Sequence, residues 1–110
     1  MNLQHALDPT VAFVGVEPTV ALRDFVIAKI GSLLGKNVLA CRVVLEASHH
    51  SHTADRFRAK VEIDLPHRKI VVGSGDSFGD LYAAVDAAAS DAKVALHEDS
   101  RRQRTHRREA

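Results

Sequence analysis

Hydrophobic positions change their period along the chain, and each change marks an element. Residues 10–16, "TVAFVGV", are apolar and rich in β-branched side chains, and they stop just before Pro18; this predicts a strand. The period then lengthens. Leu22, Phe25/Val26, Ile30 and Leu33/Leu34 recur at helical spacing. Glu17-Pro18-Thr19 supplies a start and Gly35 with Asn37 a stop, so a helix is predicted over 18–35. Residues 38–48, "VLACRVVLEAS", return to a period of two, with Leu39, Cys41, Val43, Leu45 and Ala47 on one side. The polar stretch "HHSHTAD" interrupts them. "RFRAKVEIDL" (56–65) then gives the sharpest alternation in the chain: Phe57, Ala59, Val61, Ile63 and Leu65 against Arg56, Arg58, Lys60, Glu62 and Asp64. "PH" makes a turn, and "RKIVVGS" (68–74) reads as the next strand. After Gly75-Asp76-Ser77, the positions Leu81, Ala84/Val85, Ala88, Ala92 and Ala95/Leu96 form an inward face and predict a second helix over 78–98.

The order is therefore β-α-β-β-β-α. A strand with one apolar and one charged face belongs to a sheet covered on one side and wet on the other. The expected fold class is α+β: two layers, a four-stranded sheet with both helices on one face. The β-α-β unit can form a parallel pair and the later neighbours antiparallel hairpins. The order of strands across the sheet is left open. Residues 1–100 read as one domain and residues 101–110 as a flexible basic tail.

Composition agrees with a soluble globular chain: 110 residues, 45% hydrophobic and 26% charged, enough for one modest core. The overall charge of +1 hides an asymmetry. Residues 1–100 carry ten Lys/Arg against thirteen Asp/Glu, whereas residues 101–110 carry five Arg against Glu109 alone. A basic end on a slightly acidic body points to an anionic partner for that end. Cys41 is the only cysteine, so it forms neither an intrachain disulfide nor a zinc knuckle, and its apolar neighbours predict a buried, inert thiol. The start "MNLQHALDPT" has neither the basic nor the apolar part of a secretory leader. No apolar stretch reaches the roughly 20 residues of a membrane span. A cytoplasmic protein with no membrane partner is expected.

Candidate chemistry is sparse. His49, His50 and His52 cluster, but only Asp55 lies nearby as a further ligand, and a zinc site needs three or four ligands in fixed geometry. The cluster reads as a polar hairpin loop. "GSGDSFGD" places glycines between a strand and a helix, yet it lacks the lysine and Ser/Thr of a phosphate loop and does not fit GxGxxG. Asp76 and Asp80 there read as caps and first-turn carboxylates. No catalytic constellation is present, so no enzyme, cofactor, metal or small-molecule substrate is expected. Basic residues make the better case. Arg23 and Lys29 lie on the first helix, Lys93 on the second, and Arg101, Arg102 and Arg104 follow it. With Tyr82 the one aromatic on that helix, shape-and-charge recognition of structured RNA fits better than base stacking.

Three strings carry a family resemblance. "ALRDFVIAKI" (21–30), "SHTADRFRAKVEI" (51–63) and above all "DLYAAVDAA" (80–88), with Asp80, Leu81, Tyr82 and Asp86, resemble the short ribosome hibernation promoting factor/protein Y family, also called sigma-54 modulation or ribosomal subunit interface proteins. The likeness spans about residues 11–98. It implies a fold similar to a double-stranded RNA-binding domain. It also implies binding to 16S ribosomal RNA in the decoding channel of the small ribosomal subunit, over the mRNA and tRNA sites, which blocks translation in stationary phase or stress. Members make these contacts through basic residues on both helices, and Arg23 and Lys29 fall on matching positions.

The second helix departs from the family pattern. Asp91, Val94, Glu98 and Ser100 stand where bases are expected, only Lys93 remains, and the charge gathers at 101–108. The expectation is that the tail supplies the missing phosphate contacts. Longer members continue into a dimerisation domain, so a monomer that does not join two ribosomes is expected here. Two other classes stay open: an RNA-binding or protein-interaction module that no longer binds the ribosome, and a small metal enzyme using the three clustered histidines.

Overall fold

The computed structural model describes residues 8–48 and 55–109, with side chains as far as Arg102. The elements follow as β1 (Thr10–Val14), α1 (Val20–Gly31), β2 (Ala40–Ser48), β3 (Arg56–Leu65), β4 (Lys69–Phe78) and α2 (Leu81–Glu109). They form one four-stranded sheet in the order β1-β2-β3-β4, parallel between β1 and β2 and antiparallel elsewhere. Both helices cover the same face. Cys41, Val43 and Leu45 of β2, Ala59, Val61 and Ile63 of β3, and Val71 of β4 join Leu22, Val26 and Ile30 of α1 and Ala84, Val85, Ala88, Ala89 and Ala92 of α2 in one buried cluster. This is the two-layer α+β fold that the alternation predicts.

Several boundaries shift, each for a local reason. β1 stops at Val14 because Gly15 turns to a φ of +71°. α1 begins later than predicted: Thr19 is its N-cap, with its hydroxyl accepting from the Leu22 N–H at 3.1 Å, and Pro18 lies just outside. Leu33 and Leu34 continue as single turns onto the Ile30 and Gly31 carbonyls. Leu39, read as inward, is exposed before β2 begins.

The largest corrections concern β4 and α2. β4 runs four residues further than predicted, so Asp76 is a strand residue and not a helix cap. Asp80 does cap, accepting from the Ala83 N–H at 3.2 Å. The glycines of "GSGDSFGD" serve packing. A Cβ on Gly73 would fall 2.5 Å from the Ala92 nitrogen, and one on Gly75 2.5 Å from the Ala88 nitrogen. The missing side chains let the α2 backbone lie close over β4, whereas α1 stands off on Leu22, Val26 and Ile30. α2 does not end near 98. Its backbone stays helical to Glu109, so the arginines placed on a tail beyond the helix belong to the helix itself. Among the described residues no helix is long and apolar enough to cross a membrane, and no group of three or more His, Cys, Asp and Glu could hold a metal. His49, His50 and His52 lie outside the described residues.

Candidate nucleic-acid interface

The two faces of the molecule use charge differently. On the open face of the sheet, cations are matched by carboxylates, the arginines by ones on the neighbouring strand. The Arg42 guanidinium sits 3.0 Å from Asp64 and 3.2 Å from Glu62. Arg56 and Arg58 share Asp76 of β4 at 2.7 and 2.9 Å, while Lys60 reaches Glu62 along its own strand at 3.6 Å. Hydrogen bonds from Arg58 and then Arg56 hold the Asp76 carboxyl below the usual carboxylate range, and Asp76 in turn holds Arg58 more firmly cationic. Asp64, then Glu62, does the same for Arg42. Charges so matched across strands stabilise the sheet and leave little field for a polyanion.

The helical face is different. Phe25 of α1 meets Tyr82 of α2 edge-on, with ring centres 4.7 Å apart, and this fixes how the two helices lie together. Beside that contact runs a groove lined by Lys29, Ser32 and Leu33 from α1 and Asp86, Ala89, Ser90 and Lys93 from α2. Lys29 Nζ lies 3.0 Å from Asp86 Oδ1. Lys93 is exposed on the same groove and has no ion-pair partner among the described residues. At about 100° per residue, helix positions 86, 93, 97, 101, 104 and 108 fall on one side of α2. The unbroken helix thus sets Lys93, His97, Arg101, Arg104 and Arg108 in line from their backbone positions.

Not every predicted residue joins this line. Arg23 stands about 120° around α1 from Lys29 by helical spacing, on the flank away from α2. Arg102 lies with Lys69, Ile70 and Val72 beside β4. Arg101 is within 3.1 Å of Glu98, one turn back. The side chain of Arg104 is outside the described residues. In the string 80–88, Asp80 caps α2, Leu81 packs against the core, Tyr82 meets Phe25 and Asp86 meets Lys29.

The acidic departures have partners of their own. The Asp91 carboxylate accepts the Ser74 N–H of β4 at 3.0 Å, and Glu98 lies 3.1 Å from Arg101; the neighbouring Asp99 lies 2.9 Å from Lys69 Nζ. β4 is an edge of the sheet, so Asp91 occupies a backbone donor that no strand pairs. Asp91 and Glu98 lie on the flank of α2 away from Lys93. Nothing in the local sequence marks Asp91 for this role, because its partner is 17 residues away on another element. The Asp76 clamp had a visible signal: Ser74, Asp76 and Phe78 continue the outward alternation of β4. Cys41 is buried as expected, and desolvation pushes its thiol up to about 11.

The comparisons with known proteins agree with this architecture. The fold is similar to a ribosomal subunit interface protein from Coxiella burnetii, with a TM-score of 0.70 at 15% identity, over 84% of this chain and 96% of that one. It is also similar to the N-terminal domain of Protein Y from Thermus thermophilus, with a TM-score of 0.64 at 27% identity, over 82% of this chain and 93% of that one. No curated protein matches the sequence. Residues 10–104 match the model of one family, which takes in all four strands, α1, α2 as far as residue 104 and the first three arginines past residue 100. The chain belongs to the sigma 54 modulation protein / S30EA ribosomal protein family.

Proposed function

We propose that this protein is a ribosome-associated translation inhibitor, a hibernation factor that acts by occupancy and without catalysis. It binds 16S ribosomal RNA in the decoding channel of the small subunit and so blocks the mRNA and tRNA sites in stationary phase or stress. It works in the cytoplasm, as a single copy, with no cofactor. Family membership supports the ribosome as partner. The observation that carries the RNA-binding surface is the contrast between faces: the sheet neutralises its own cations, while Lys29, Lys93 and the in-phase positions 97, 101, 104 and 108 line one side of the helical layer. Such a surface binds phosphates with strong salt dependence and little sequence readout.

Sedimentation of a stationary-phase extract tests the reading. The protein is expected in the 30S and 70S fractions and should leave them at high salt; its absence there at low salt rejects the proposal. A second reading, an RNA or protein module that no longer binds the ribosome, draws on the carboxylates that meet Lys29 and Arg101. Equal affinity and equal salt slope for 30S subunits and for an unrelated RNA duplex would favour it.

A further inference from the structure

We propose that Asp86 competes with RNA phosphate for Lys29 and thereby sets how tightly the interhelical groove holds a polyanion. This rests on the RNA-binding reading above. Asp86 is the one carboxylate among the residues that line the groove, and it lies on the same side of α2 as Lys93 and the arginine positions beyond it. Its contact with Lys29 is short, 3.0 Å, but the two side chains are 45% and 53% exposed. An ion pair so open to water is weak and exchanges readily. Lysine is suited to the exchange: its ammonium is a point charge with three donors on a flexible stem, able to swing from one oxyanion to another. A phosphate that enters the groove meets Lys93 directly and must take Lys29 from Asp86. The displaced carboxylate then stays beside the phosphate as an uncompensated negative charge.

A purely structural role for Asp86 is not needed to hold the helices. Phe25 and Tyr82 already join α1 to α2, and Leu33 packs against the cluster that contains Ala89. Removing the charge should therefore change binding and leave the fold intact.

The test measures the binding of wild type, Asp86→Asn and Asp86→Glu to purified 30S subunits and to an unrelated RNA duplex across a salt series, with a thermal melt of each variant. Asp86→Asn is expected to bind both RNAs about three- to tenfold more tightly at low salt, with a salt slope steeper by about one. Asp86→Glu, which keeps the charge, should bind like wild type, and all three should melt alike. Unchanged affinity and slope for Asp86→Asn overturn the proposal. Weaker binding by a well-folded Asp86→Asn overturns it too, because Asp86 would then be positioning Lys29 for phosphate. The two RNAs separate this idea from the ribosome reading. A gain on the duplex with no 30S binding by any variant rejects the ribosome and keeps the competition; firm 30S binding that ignores Asp86 does the reverse.

Discussion

Replacing Gly75 with alanine tests the close seam between α2 and β4. The added Cβ would meet the Ala88 nitrogen at 2.5 Å, the Ala84 oxygen at 2.6 Å and the Ala87 Cβ at 2.6 Å. Ordinary contact begins near 3.4 Å, so the helix and strand must part by close to an ångström. Two of the three atoms are backbone, and no rotamer change removes them. Separation would loosen Ala84, Val85, Ala88 and Ala92, all fully buried. Overpacking of this kind costs about 3 kcal/mol, at the upper end of its usual range. Loss of glycine freedom in the unfolded chain returns about 0.5–1 kcal/mol. The clash wins, with a net loss of about 2 kcal/mol, or about 8–16 °C in melting temperature for a domain near this size. Thermal and urea denaturation of Gly75→Ala measure it. Gly35→Ala is the control, because a Cβ there meets nothing within 4 Å and should be neutral or slightly stabilising. A Gly75→Ala protein that melts within about 2 °C of wild type would refute the seam.

Other outcomes follow from the same geometry. The folded Asp76 carboxyl titrates below its ordinary value, so its stabilisation is complete above the ordinary carboxylate range and is lost as pH falls through the lowered value. Asp76→Asn should flatten that part of a melting-temperature profile against pH, and an unchanged profile would contradict the clamp. Cys41, with its thiol pushed up to about 11, should resist alkylation near pH 8 until urea unfolds the chain; rapid labelling of the folded protein would show that it is not buried. Deleting residues 101–110 should weaken binding to 30S subunits and lower the salt slope by about three, since three of the five arginines fall in line with Lys93 on the helix. The melting temperature should barely move, and intact binding would show that this stretch contributes no phosphate contacts.

The sequence was most legible where both faces of an element carried side chains. β3 falls at its predicted bounds, Arg56–Leu65, because five apolar and five charged positions alternate without a break. The end of β4 is not visible in the sequence because Gly73 and Gly75 occupy its inward positions and leave no apolar mark there; their role depends on a helix that comes later in the chain. The end of α2 was hidden for the opposite reason. Past Leu96 there is no apolar periodicity to follow, yet arginine and glutamine are good helix formers and the helix continues. For the interface, the sequence points to both Lys29 and Lys93, and the structure brings them to one groove. The separation of Arg23 from Lys29 was readable from their spacing of six residues. The pairing of Asp86 with Lys29 was not, since it depends on how two helices lie across a sheet.

The Asp91 contact with Ser74 has a consequence for self-association. β4 is an edge strand, and its open side carries Ile70, Val72 and Phe78, all exposed. A strand edge flanked by such residues is a template for pairing with another copy and, in time, for aggregation. Asp91 takes up the Ser74 donor that an incoming strand would need and sets a negative charge beside it. A lysine at position 91 would add to the charge of α2 but on the wrong flank, and it would release that donor. The carboxylate at position 91 thus works against strand-to-strand assembly.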